Sequence, residues 1–489
     1  MHKDRRYSAL MTDLYQITMA YGFWKNNLHN QNAVFHLFFR QNPFKGGYTI
    51  ASGISEAIKF IQSYKFTTEE LEYLKSLKGN NAGPLFEDGF LEYLSEFEFT
   101  CDIDSVKEGT ILFPHEPILR VKGPIAQCQL VESVLLAIIN FHSLVSTKAA
   151  RICRAAGDDP VIEFGLRRAQ GLDGALSAAR ASFIGGVKGT SNVYAAKELG
   201  IPALGTHAHS WVQAFDEEYE AFKTFAQAMP NNTILLVDTY DTEMGIEYAI
   251  EVAKEIKKEY GVEIHGIRLD SGDLAYFSQL ARTRFDEEGV GFMKIVATND
   301  LDEHLITSLK LQEAAIDIWG VGTKLVTAHD QPALGGVYKL SAIENEDGTW
   351  DDRIKLSEQT VKINIPGLLQ VKRFYKNGVA KLDMIYDIRE EVEDDSISLI
   401  DPTDLLRRKR INFTEYESED LLHPVMVNGK FVGETESLYD IQKRVKEEIN
   451  KLDKTHLRLT NPHIYHVGLE ENLYRKRMDL IIDNKNRHL

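Results

Sequence analysis

Between Val161 and Val326 the chain alternates two hydrophobic rhythms. Short apolar or β-branched runs occur at Val161–Arg167, Ala181–Gly185, Ala203–Thr206, Thr233–Thr239, Ile264–Asp270, Lys294–Asn299 and Ile316–Gly322. Between them lie segments with apolar residues three and four apart, among them Val193–Leu199, Glu243–Glu259 and Leu274–Glu287. Gly261 stands where a helix would end on a left-handed residue. Strand alternating with helix predicts parallel strands joined by crossovers. Repeated this often, the pattern predicts an irregular α/β barrel, closed or nearly so; an open doubly wound sheet is the alternative.

The flanking regions have another texture. Helical patterns at Thr12–Trp24 and Gly53–Tyr64 are mixed with strand-like stretches at Ala33–Arg40 and Val121–Pro124. Beyond Gly335 strands and turns return, with an Asp-Gly turn at 347–348, and a helical stretch follows at Thr435–Leu452. We therefore expect an N-terminal α+β domain over 1–130, completed by about 335–420. The barrel is expected over 131–334, and a C-terminal extension over 421–489. The acidic stretch Arg389–Asp395 and the basic stretch Arg407–Arg410 read as solvated faces.

Composition narrows the function classes. With 43% hydrophobic and 26% charged residues the chain is that of a soluble globular protein. A net charge of −17 argues against a nucleic-acid surface and requires that any anionic substrate be captured locally. The three cysteines Cys101, Cys128 and Cys153 have no CxxC spacing, which suggests neither a disulfide framework nor a cysteine zinc site. The charged stretch Met1–Ala9 has no signal-like apolar core, and Val131–Val145 is too short to span a bilayer. The expectation is a reduced, cytoplasmic setting with neither membrane nor nucleic acid as partner.

The chemistry gathers where the predicted strands end, the face on which α/β barrels build active sites. Arg167 and Arg168 close the first run and can clamp a carboxylate or phosphate, or form surface salt bridges. Gly185 to Asn192 offers backbone to an oxyanion, or is a capping loop with Ser191 or Asn192 as cap. His207 and His209, two apart, permit metal ligation, or one reactive imidazole beside a packing one. Asp238 and Asp270 end apolar runs, where an unpaired carboxylate is costly, so a functional role is preferred; Asp241 and Asp273 read as helix caps. The sixth ending is Thr298-Asn299-Asp300. Gly320, Gly322 and Thr323 end the last run and suit a phosphate. Together these endings point to a phosphorylated, sugar-bearing substrate.

In this order the endings resemble the nicotinate phosphoribosyltransferases. The resemblance rests on Thr12-Asp13-Leu14-Tyr15-Gln16, Phe39 to Phe44, Glu163 to Gly171, Gly205-Thr206 with Ala208-His209-Ser210, Arg268 to Asp273, Gly322-Thr323 and Leu334 to Leu340. The tail motifs Lys355-Leu356-Ser357-Glu358 and Pro366-Gly367 extend it over nearly the whole chain. It implies condensation of nicotinate with phosphoribosyl pyrophosphate to nicotinate mononucleotide, the first step of NAD salvage from nicotinate (the Preiss–Handler route). ATP cleavage would be coupled through a phosphohistidine at His209, oriented by Asp238. Asp270 would approach the ribose or its metal, and Arg268 the nicotinate-ribosyl part. Tyr15 and Thr206 would contact the pyridine, Phe164 would stack on it, and Arg167 would bind phosphate or substrate charge. Gly320, Gly322 and Thr323 would cradle the 5′-phosphate.

The resemblance further implies Mg²⁺ brought with ATP and phosphoribosyl pyrophosphate, without direct protein ligation, and no tightly bound organic cofactor. It also implies a homodimer whose subunits share active sites, with Tyr15 acting across the interface. Nicotinamide-using relatives carry aspartate where this chain has Ser191, which favours nicotinate. The competing readings are nicotinamide or quinolinate as acceptor, a zinc hydrolase using His207 and His209, and an inactive regulator or scaffold.

Overall fold

The computed structural model describes residues 8–359, 362–390, 396–404 and 406–487. Most of the N-terminal stretch 1–9 and residues 391–395 of the acidic stretch lie outside the described residues. The chain forms two compact units, Val145–Pro332 and a second made of 1–144 with Ala333–Leu489.

The Val145–Pro332 unit is built on a five-stranded parallel sheet. Its strands are β1 (Val161–Glu163), β2 (Ile234–Leu236), β3 (Gly266–Leu269), β4 (Lys294–Ala297) and β5 (Ile318–Val321), in the spatial order β1-β5-β4-β3-β2. Two parallel single-residue bridges extend it beyond β1, from Glu163 to Thr190 and from Thr190 to Ala203. Side-chain bonds then tie 206–207 to β2. The Thr206 hydroxyl donates to the Ile234 carbonyl, and the Leu236 N–H donates to His207 Nε2 at 3.2 Å. Ladder pairing thus covers five strands.

The longer helices between its strands are α1 (Gly171–Ile184), α2 (Val193–Leu199), α3 (Glu218–Ala228), α4 (Thr242–Tyr260), α5 (Leu274–Glu287) and α6 (Glu303–Leu311). Their starts are set by side-chain caps. Asn192, Asp241, Asp273 and Asp302 each accept from backbone N–H groups of the first turn, and Gly261 ends α4 at φ 68°. Ala181–Gly185, expected as a strand, is instead the end of α1. Ala175, Ala178, Ala179 and Ala181 are all buried there, so a good helix former is apolar all round and shows no helical period.

The other unit holds a seven-stranded sheet that takes strands from both ends of the sequence. Asn32–Phe38 lies between Val337–Glu344 and Pro117–Pro124, and His423–Val427 pairs with Asp102–Ser105. In a second, six-stranded sheet Val467–Leu469 runs parallel to Val379–Asp387. Residues from 421 onward therefore supply strands to both sheets. The apolar stretch Val131–Val145, expected to be too short for a membrane, belongs to a 25-residue helix, Glu132–Ala156, that is long and apolar enough to cross one. Of its most apolar window 67% is buried inside the protein, as in a core helix.

Candidate active site

A cavity of about 310 Å³ opens at the carboxyl ends of the parallel strands, within the Val145–Pro332 unit. The lining comes from β1 and its continuation (Phe164, Arg167, Arg168), the bridge residues' neighbours (Ser191, Gly205, Thr206, His207), and Arg268 of β3 with Asp270 just after it. The ends of β4 (Thr298, Asn299, Asp300) and β5 (Gly320, Gly322, Thr323) complete it. Parallel strands deliver their last residues to one rim, so groups more than 150 positions apart in sequence meet there. Three arginines line a cavity in a chain of net charge −17, which makes the site locally receptive to anions.

His209 opens a short turn of helix beside this rim, with its side chain 38% exposed. Its Nδ1 lies 3.1 Å from the Thr239 hydroxyl, and its Nε2 lies 3.7 Å from Asp270 Oδ2. With Nδ1 engaged, Nε2 is the nitrogen free to react. The other Asp270 oxygen accepts from the Thr298 hydroxyl, which fixes the carboxylate.

Asp238, expected as the partner that orients His209, bonds elsewhere. Its Oδ2 accepts from the Asp270 N–H at 2.8 Å and from the Ser271 hydroxyl at 2.6 Å. Asp238 therefore acts at one remove, by holding the Asp270–Ser271 turn, and the carboxylate nearest the imidazole is Asp270.

The two histidines have different surroundings. His207 is buried, packs edge-on against Phe225 with ring centroids 4.6 Å apart, and accepts from the Leu236 N–H. Burial pushes its imidazole down to about 4, so it is a neutral packing residue at physiological pH. His265, which a histidine-rich zinc site would recruit, sits just before β3, at the opposite end of the strand from the cavity. Arg268 donates through Nη1 to the His207 carbonyl at 3.2 Å, while its Nε is buried with no partner. Burial lowers its pKa, partly offset by Asp270 and Asp238. Such an under-used guanidinium suits an incoming anion.

At the start of the sheet Glu163 is almost fully buried and accepts from the Thr190 hydroxyl and the Gly165 N–H, while its carbonyl accepts from the Ser191 N–H at 2.9 Å. Burial raises its pKa, and those two bonds offset the rise only in part. This knot places Ser191 on the cavity wall. The Phe164 ring fills the space above Gly320: a Cβ there would lie 2.8 Å from the ring and 2.6 Å from Thr298 Cγ2. Gly320 thus leaves no room for a side chain, because Phe164 packs against it.

Among the expected site residues, Phe164, Arg167, Ser191, Thr206, Arg268, Asp270, Gly320, Gly322 and Thr323 line the cavity. His209 and Asp238 stand behind it, through Asp270. Tyr15 lies outside this lining, on the helix Leu14–Lys25, with half of its surface exposed. Several contacts could not be read from spacing: Thr239 on His209, Thr298 on Asp270, and the knot around Glu163. Asn299 and Asp300 adopt left-handed backbone, φ 86° and 44°, at the end of β4. The adjoining turn is clamped by Lys324 on Asp302 and by Lys148 and Arg151 on Glu303, at 2.7–2.9 Å. Side-chain identity in an Asn-Asp dipeptide hints at such a turn, but the clamp comes from residues far away in sequence.

Comparison with known proteins gives matches along most of the chain. Residues 10–140, 160–351 and 369–477 match, in turn, family models described as the nicotinate phosphoribosyltransferase N-terminal domain, the nicotinate phosphoribosyltransferase family and its C-terminal domain. The nicotinate phosphoribosyltransferase of Bacillus subtilis is 43% identical over 98% of this chain and 96% of its own length. Those of Dictyostelium discoideum and Homo sapiens are 38% and 31% identical, over 98% and 95% of this chain and 89% and 95% of their own. The crystal structure of human nicotinic acid phosphoribosyltransferase superposes with a TM-score of 0.82 at 28% identity, covering 96% of this chain and 99% of that one. A nicotinate-nucleotide pyrophosphorylase from Pyrococcus furiosus shares the fold, with a TM-score of 0.70 at 21% identity and coverage of 92% and 97%.

Proposed function

The chain belongs to the nicotinate phosphoribosyltransferase family, and from that premise we propose that it joins nicotinate to phosphoribosyl pyrophosphate while cleaving ATP through a phosphate carried on His209. The observation that carries the reading is the half-open His209 imidazole. Its Nδ1 is held by Thr239 and its Nε2 faces Asp270, beside a cavity lined by Arg167, Arg168 and Arg268.

In the coupling step the Nε2 lone pair attacks the γ-phosphorus of ATP, the bond to the β-bridging oxygen breaks, and ADP leaves. In the transfer step the pyridine nitrogen of nicotinate attacks the anomeric carbon of the ribose. The bond to pyrophosphate breaks as positive charge develops on the sugar, and nicotinate mononucleotide forms. Water then takes the phosphoryl group from His209 as inorganic phosphate. Catalysis of such a transfer rests on positioning and on charge stabilisation. Arg268, with a donor to spare, and Arg167 are suited to the anionic groups, and Asp270 to the ribose hydroxyls or the developing charge. Phe164 is placed to stack on the pyridine. Ser191, in place of an aspartate, leaves a carboxylate unrepelled. Mg²⁺ brought with the polyphosphates would supply charge neutralisation to the departing pyrophosphate, without direct ligation by a side chain.

The two single bridges and the bonds from 206–207 to β2 support reading the unit as an irregular barrel. Tyr15, exposed on its helix, fits a homodimer in which it reaches a partner's pyridine site. The product places the enzyme at the entry of nicotinate into NAD synthesis.

The reading is tested with His209→Ala. The variant is expected to incorporate no acid-labile phosphate from γ-labelled ATP and to lose ATP hydrolysis, while retaining slow ATP-independent transfer. Undiminished labelling would move the nucleophile elsewhere and refute the assignment.

A further inference from the structure

Two residues that do not reach the cavity hold one of its walls together. Glu163 is 1% exposed and Thr190 is fully buried, and neither belongs to the lining. No cation among the described residues pairs with the Glu163 carboxylate. Its two oxygens instead accept from different donors, Oε1 from the Gly165 N–H and Oε2 from the Thr190 hydroxyl. The same hydroxyl accepts from the Asn192 N–H at 2.9 Å, and the Asn192 side chain caps α2 by accepting from the Ala195 N–H at 3.1 Å.

Each of these bonds ends beside a residue of the wall. Gly165 lies between Phe164 and the Leu166–Arg168 turn, and its carbonyl accepts from the Arg168 N–H at 2.8 Å. Ser191 stands between Thr190 and Asn192, with its own N–H on the Glu163 carbonyl. Both neighbours of the carboxyl are donors, so its ionised form is the one that fits. A buried anion without a cation costs stability, and an apolar pair would fill that space at less cost. The arrangement is therefore better explained by what it positions.

We propose that Glu163 and Thr190 are positioning residues that hold Phe164 and Ser191 in register, and so set both the affinity for the pyridine and the choice of carboxylate over carboxamide. The inference rests on the reading of the cavity as a nicotinate site and extends it to groups that never touch the substrate. Loss of either bond frees Gly165 or the 190–192 segment, so that the Phe164 ring and the Ser191 wall no longer present one surface. The His209 side is held separately, by bonds of Thr239 and Thr298.

A knot that only stabilised the fold would lower the melting temperature and leave substrate choice alone. In Thr190→Val, similar in shape but without the hydroxyl, KM for nicotinate should rise about tenfold or more while kcat stays within about threefold. The preference for nicotinate over nicotinamide in kcat/KM should shrink about tenfold. Phosphate incorporation from γ-labelled ATP should stay within about twofold of wild type. Thr190→Ser, which returns the hydroxyl, should recover the nicotinate KM to within about threefold. Glu163→Gln offers an acceptor to only one of the two donors and should follow Thr190→Val. Equilibrium dialysis of the full chain against radiolabelled nicotinate reads the same affinity without turnover. Wild-type protein that binds no nicotinate would refute the reading of the cavity and this inference with it. Nicotinate bound by wild type, and as tightly and selectively by Thr190→Val, would overturn this inference alone, as would a Thr190→Ser variant no better than Thr190→Val. Should Thr190→Val or Glu163→Gln fail to fold, the other is set against Thr190→Ser and decides.

Discussion

Two arginines, the buried Arg373 in one compact unit and the half-buried Arg268 in the other, are treated in opposite ways. In the sheets of the larger unit Arg373 is 1% exposed and every nitrogen is engaged. Nε and Nη2 donate to Asp383 at 3.0 and 2.6 Å, Nη1 to Glu448 at 3.1 Å, and Nη2 also to the Ile111 carbonyl at 2.8 Å. Burial alone would lower its pKa, but Asp383 more than reverses this. In the parallel-sheet unit Arg268 has one bond, to a carbonyl, and an idle Nε, and its pKa falls. A saturated buried charge holds a fold together. An unsaturated one, turned to a cavity, costs the free protein something and is satisfied by a ligand.

The largest contrast should come from removing each arginine. Arg373→Met strands the buried Asp383, and should lower stability by about 3–5 kcal/mol in denaturant titrations. Arg268→Met should change stability by less than about 1 kcal/mol, yet reduce nicotinate mononucleotide formation about 10²–10³-fold. Exchange of the two outcomes would erase the distinction.

Next in size is a pH effect that both units share. His207 in one unit and His115 and His466 in the other are each pushed down to about 4 by burial. Their folded pKa values lie below the unfolded value of about 6.5, so the unfolded chain binds protons that the folded one refuses. Stability is therefore fully present above pH 6.5 and is lost as pH falls toward 4, by up to about 3 kcal/mol per histidine. Thermal melts across that window should show the decline, and His207→Gln should flatten the slope. A wild-type melting temperature independent of pH there would contradict the burial argument.

The smallest effect concerns substrate choice. Ser191→Asp places a charge on the cavity wall and should cut kcat/KM for nicotinate about tenfold to a hundredfold while raising that for nicotinamide. Equal losses for both pyridines would mean that residue 191 does not discriminate.

How far such features can be read in advance depends on their range. Helices α2 and α5 were legible residue for residue, because Asn192 and Asp273 are local caps and the apolar spacing is strict. The site's polar residues were legible because strand ends in a parallel sheet share one rim. The reversed partnership of Asp238 was not, since whether a carboxylate meets His209 or a backbone N–H depends on a turn between β3 and α5 that no spacing encodes. The end of α1 was misread as strand because its alanines hide the helical period. The packing of Phe164 against Gly320 was not legible either, being set by the pairing of β5 with β1.

The central claim is that these unsatisfied groups bind a phosphorylated ribose for transfer to nicotinate. It is tested most directly by incubating the purified protein with nicotinate, phosphoribosyl pyrophosphate and Mg²⁺, with and without ATP, and quantifying nicotinate mononucleotide and ADP. Product should form in both cases, faster with ATP, with ADP released as product accumulates. No nicotinate mononucleotide under either condition, or a product made from nicotinamide in preference to nicotinate, would contradict the account.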